Sequence, residues 1–89
     1  MLMKDRIAAK LTQALHPVTL DVIDESDRHI GHAGAREGGQ THYRVHIVSE
    51  AFAGKGRLDR HRMVNALLAE EFAAGVHALA LKTAAPGES

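Results

Sequence analysis

The sequence predicts an α+β domain in the order helix, strand, strand, short helix, helix, strand, with helices on one face of a three-stranded mixed sheet. Three observations carry this. An apolar stripe recurs every four residues near the N-terminus, two β-branched segments follow Pro17, and a second helical stripe precedes a last β-like run. The chain has 89 residues. A chain of this size buries only about 60–65% of its unfolded surface, which leaves room for one core and a single domain spanning residues 1–89.

The elements follow in order. Over residues 4–15, Ile7, Leu11 and Leu15 form one stripe, with Lys4, Arg6, Lys10 and Gln13 elsewhere, as in an amphipathic helix. Pro17 ends it, because the residue before a proline is pushed out of the α region. Thr19–Asp24 (TLDVID) is rich in β-branched residues and reads as the first strand. Residues 42–49 (HYRVHIVS) alternate, with Tyr43, Val45 and Ile47 on one face and His42, Arg44 and His46 on the other. Residues 25–41 hold four glycines and no period, so they read as a long exposed loop closing an antiparallel hairpin.

Glu50–Phe52 suits one helical turn before the Gly54-Lys55-Gly56 break. Asp59 then offers an N-cap, with Leu58 stapled onto Met63, for a helix carrying Val64, Leu67, Leu68 and Phe72 and stopping at Gly75. Residues 76–83 (VHALALKT) read as a strand with His77, Leu79 and Leu81 on one face and Val76, Ala78 and Ala80 on the other. A helix between the second and third strands permits a parallel crossover. Residues 83–89 are expected to fray.

Composition excludes several functions. Eleven Lys plus Arg balance eleven Asp plus Glu, which rules out a globally basic DNA clamp but not a local patch. There is no cysteine, so disulfides, thiolate nucleophiles and Cys-based metal sites are excluded, whereas histidine occurs seven times. Two Phe, one Tyr and no Trp give no aromatic platform for single strands. No apolar run has the length of a signal peptide or a membrane span, which points to the cytoplasm and to no membrane partner.

Several stretches carry a resemblance. They are Asp24-Glu25-Ser26 with histidines just after, Thr41-His42-Tyr43, Val48-Ser49 with Phe52 and Gly54, RHRMVNALLAEE over residues 60–71, and Val76-His77-Ala78-Leu79. In this order they make the chain resemble the BolA family over most of its length. The resemblance implies a class II KH-like αββααβ topology, in agreement with the element order above. It also implies partnership with a monothiol glutaredoxin and its glutathione, sharing a [2Fe–2S] cluster. The glutaredoxin side would supply the sulfur ligands, and this chain the histidine opening the last strand, His77, and a loop histidine, His29. His32, three residues further on, competes for that loop role. An iron of such a cluster can take two imidazoles in place of thiolates, so a cysteine-free chain can supply that half. No cluster is expected to be held tightly by the isolated chain.

Each histidine also has an ordinary structural explanation. His77, among Val, Ala and Leu, would be a buried imidazole bonded to backbone, and His29 and His32 would be solvated loop side chains. His42 suits a structural or supporting role at the strand start, and His46 an exposed face. His16 suits a cation at the first helix's C-terminus, and His61 packing at the sheet surface.

Lys55, Arg57, Arg60 and Arg62 against Asp59 make a local excess of positive charge, a candidate contact for nucleic acid or glutathione or simply a solvated helix face. Gly54-Lys55-Gly56-Arg57 lacks the G-x-x-G spacing of KH loops, which argues against that route to RNA. The patch permits an alternative function, a DNA-binding transcriptional regulator. No catalytic triad, carboxylate pair or phosphate-binding glycine loop is evident, so no enzyme is expected.

Overall fold

A computed structural model describes residues 2–25 and 42–88. The elements are α1 (Met3–Leu15), β1 (Thr19–Asp24), β2 (His42–Val48), a 3₁₀ turn (Glu50–Phe52), α2 (Arg57–Leu67), α3 (Ala69–Ala74) and β3 (Ala78–Ala84). The sheet order is β1-β2-β3. β1 and β2 pair antiparallel from Thr19 opposite Val48 to Asp24 opposite Tyr43, and β2 and β3 pair parallel from His42 opposite Ala78 to Val48 opposite Ala84. The hairpin, the crossover and the α+β class expected from the sequence are all present.

Alternation along β2 decides which face the helices cover. Tyr43, Val45 and Ile47 are buried in one cluster with Ile7, Leu11 and Leu15 of α1, Phe52 of the 3₁₀ turn and Val64 of α2, and Leu20, Val22, Leu79 and Leu81 of the flanking strands pack against it. The opposite sheet face presents Asp21, Ile23, Arg44, Ala78, Ala80 and Lys82, all exposed. No described helix is long and apolar enough to cross a membrane.

Four local expectations are corrected. First, α2 begins at Arg57 with Gly56 as its N-cap, and Asp59 lies inside the first turn. Its carboxylate still favours the positive end of the helix dipole without capping it. Leu58 is 62% exposed, so it forms no staple with Met63. Second, the expected second helix is two helices, broken at Leu68 (φ −101, ψ 16). That break falls in Leu67-Leu68-Ala69, which contains neither Pro nor Gly.

Third, α1 ends before Pro17 as expected, but His16 leaves the helix through the left-handed conformation, φ 44 and ψ 57, rather than the extended one usual before proline, and its N–H donates to the Thr12 carbonyl as the C-cap of α1. Fourth, the C-terminal residues are structured through Glu88. Thr83 and Ala84 belong to β3, and Ala84 and Ala85 are buried. Glu88 N–H then donates to the Ala85 carbonyl at 3.0 Å across Pro86-Gly87. With proline second and Gly87 third at φ 90, this is a type II turn, the arrangement in which glycine supplies the positive φ.

Ser49 ties three elements together. Its buried hydroxyl donates to the Leu15 carbonyl at 2.6 Å and accepts from Ala51 N–H at 3.1 Å, and its own N–H donates to the Ala84 carbonyl at 3.0 Å. On the other side of the core, Glu71 of α3 is buried and paired with Arg6 at 2.9 Å and Lys10 at 3.0 Å, both from α1. Burial pushes the Glu71 carboxyl upward, but the bonds from Lys10, its own backbone and Arg6 outweigh it and hold the group below its ordinary value.

Candidate functional site

Two features stand out, an imidazole pair at one end of the sheet and a basic cleft between α2 and β3. The pair arises from the parallel register. β3 starts at Ala78, directly opposite His42, so His77 is the residue just before the strand. It therefore escapes the alternation that would place it with Leu79 and Leu81 on the core face. Val76 is buried and His77 is exposed, so His77 is not the core imidazole of its ordinary structural explanation.

Its ring lies beside that of half-buried His42, with centroids 5.3 Å apart and 43° between the planes. Glu25 N–H donates to the His42 carbonyl at 2.8 Å. The connection over residues 26–41 therefore leaves and rejoins the sheet beside the pair. The Glu25 carboxylate is also held by Arg44 Nε at 3.3 Å.

His29 and His32 lie outside the described residues. Among the described residues no group of three His, Asp or Glu is placed to hold a metal ion. The partner brought to His77 is His42, which sequence reasoning assigned to a supporting role. Half-buried His46 lies on the open face between Asp21 and Lys82, and half-buried His61 lines the basic cleft opposite Leu81 to Thr83 at the sheet edge.

The cleft has a volume of about 610 Å³. Lys55, Arg57, Arg60 and His61 line one side and Leu81 to Thr83 of β3 the other. Arg62, grouped with these cations on sequence grounds, is exposed and does not line it. Lys82 takes its place. The signal for Lys82 was present as the one charged residue in an otherwise uncharged strand, but only the parallel register carries it to α2.

Arg60 is fixed on both sides. Its Nε donates to the Lys55 carbonyl at 2.8 Å, and Nη1 and Nη2 donate to Glu88 Oε1 and Oε2 at 2.6 and 2.8 Å. The Arg60 bonds come first among the causes that hold the Glu88 carboxyl down to about 2, followed by the Ala85 N–H.

A family model described as BolA-like protein matches residues 11–88. The chain belongs to the BolA family. It is 52% identical over 89 residues to an uncharacterized protein in the cobS 5' region of Sinorhizobium sp., covering 99% of this chain and 96% of that one. It is 47% identical over 83 residues to the DNA-binding transcriptional regulator BolA of Escherichia coli, covering 93% and 75%.

Among solved structures, the BolA domain of SufE1 from Arabidopsis thaliana matches with a TM-score of 0.85 at 41% identity, covering 97% of this chain and 94% of that one. SufE-like protein 1 of the same plant is 44% identical over 87 residues, and this BolA chain spans 24% of its length. BolA relatives thus carry the names of regulators or of BolA-like proteins, and the fold expected from the resemblance is the one present.

Proposed function

We propose that this BolA-family chain is a non-enzymatic adaptor. In this reading it pairs with a monothiol glutaredoxin and takes part in iron–sulfur cluster assembly, trafficking or iron signalling by sharing a [2Fe–2S] cluster through histidine ligands. The observation that carries the reading is the His42–His77 pair. With metal–nitrogen bonds of about 2.1 Å, the centroids of two imidazoles on one tetrahedral centre stand roughly 5 Å apart, and the observed separation is 5.3 Å. Two neighbouring imidazoles at this separation support the imidazole half of a mixed ligand set.

His77 is the first ligand in this reading. The second comes from His29, His32 or His42, since the 26–41 connection begins and ends at the pair. The cluster is cargo shared with the partner, whose thiolates would complete the iron coordination. Two neutral imidazoles alone lack the charge and softness to keep it.

The test mixes this chain with a glutathione-loaded monothiol glutaredoxin and reconstitutes a cluster. The expected result is a visible absorption and circular dichroism spectrum distinct from that of the glutaredoxin alone. Identical spectra with and without this chain would sink the proposal, as would a stable cluster on the isolated chain.

The basic cleft favours a second reading, a DNA-binding transcriptional regulator. It is tested by titrating duplexes of different sequence against salt. A regulator prefers one duplex with a steep salt slope, and an adaptor gives weak, sequence-neutral binding.

A further inference from the structure

We infer that the cleft between α2 and β3 is a phosphate-binding site whose arginine is occupied by the chain's own Glu88 carboxylate, so that a DNA backbone enters by displacing the C-terminal turn. This rests on the second reading above and adds a built-in competitor to it. An oxyanion is already seated in the site. Glu88 accepts both terminal nitrogens of Arg60 at 2.6 and 2.8 Å, and its Oε1 also accepts Ala85 N–H at 3.0 Å.

The guanidinium that holds it is preorganised. Its Nε is committed to the Lys55 carbonyl, and its side chain is only 12% exposed. A fixed guanidinium fork matches carboxylate and phosphate alike. The bound carboxylate can depart without disturbing the core. Among the described residues Ala85 is the last buried one, and Pro86, Gly87 and Glu88 are all exposed.

The surroundings call for a longer anion than one carboxylate. Among the described residues, Lys55, Arg57 and Lys82 form no ion pair, so Glu88 offsets one cation of the four that line the cleft. A smaller depression lined by His46 and by Arg44, whose Nε holds Glu25, shares Leu81 and Lys82 with the cleft and extends it onto the open sheet face. A row of cations suits the regularly spaced phosphates of a nucleic-acid backbone. Neither depression is lined by Phe, Tyr or Trp for bases to stack on, so the duplex backbone is favoured over a single strand.

The experiment measures binding of a short fluorescent DNA duplex to the full chain across a KCl series. The proteins are the wild type, E88A, R60Q, R60Q/E88A and D59A, with thermal melts confirming that each is folded. Because the duplex must first displace Glu88 in the wild type, E88A should raise affinity about two- to fivefold at 0.1 M salt with the slope nearly unchanged, whereas R60Q, which loses one phosphate contact, should flatten the slope by about 0.9. In the R60Q background the E88A gain should vanish, and D59A, which removes the same charge elsewhere on α2, should give much less. On adding duplex to the wild type, the Glu88 carboxyl, followed by carbon NMR, should titrate nearer its ordinary range.

An equal E88A gain with and without Arg60, or an equal gain in D59A, would reduce the effect to net charge and overturn the competitor. Salt-dependent binding that E88A leaves unchanged would overturn the competitor while leaving the DNA reading standing. No binding by wild type or E88A would overturn both.

Discussion

His42 and His77 face each other at the head of two parallel strands, ring centroids 5.3 Å apart, because β3 begins opposite His42 and leaves the preceding residue outside the ladder. An imidazole pair so placed makes the order of substitution effects predictable. In the glutaredoxin mixture, H77A should alter the visible dichroism of the cluster most, H42A less, and H46A least, since His46 sits further along the open face between Asp21 and Lys82. Equal changes from H77A and H46A would mean that neither imidazole is specific to the cluster.

The sequence carried the fold almost whole, and the reasons are physical. Ile7, Leu11 and Leu15 have the helical spacing, and Tyr43, Val45 and Ile47 alternate, so the spacing alone marks the buried faces. The break at Leu68 was not legible because no helix breaker stands there. The N-terminal start of α2 was misplaced because Asp59 is a better capping residue than Gly56. At the site, the importance of His77 came from a resemblance. Its pairing with His42 and the arrival of Lys82 beside Arg57 and Arg60 depend on the register of a parallel pair, which no local pattern encodes.

His16 should be a correctable weak point. It holds the left-handed conformation at the end of α1, where a residue with a Cβ pays roughly 1–2 kcal/mol, and glycine is the usual occupant. His16→Gly should raise stability by about 1 kcal/mol, read as an upward shift of the thermal midpoint. A decrease would mean that the imidazole stabilises the helix end by more than the strain costs.

Ser49 should be costly to remove. It is fully buried, and its hydroxyl both caps the 3₁₀ turn and satisfies the Leu15 carbonyl. Ser49→Ala deletes both bonds in one step and should cost about 1–3 kcal/mol in urea denaturation with the slope m unchanged. A neutral outcome would show that water replaces the hydroxyl at the end of α1.

The Glu71 cluster makes an asymmetric prediction. The carboxylate is 1% exposed, whereas the Arg6 and Lys10 side chains are 37% and 33% exposed. Glu71→Gln leaves two cations that can rehydrate and should cost about 1–2 kcal/mol. The double variant R6M/K10M strands a buried carboxylate and should cost about 3–5 kcal/mol at neutral pH. The pH dependence should separate them further. In the wild type the folded pKa lies below the ordinary 4.5, so the Glu71 contribution is complete above that pH and is lost as the pH falls through the folded value. In R6M/K10M burial, the largest influence on Glu71, is opposed only by the backbone bond, so the folded pKa rises above the unfolded one and the penalty shrinks as acid neutralises the carboxyl. The stability gap between wild type and R6M/K10M should therefore narrow from pH 7 to pH 4. A gap that stays constant would mean that the carboxylate does not depend on its two cations.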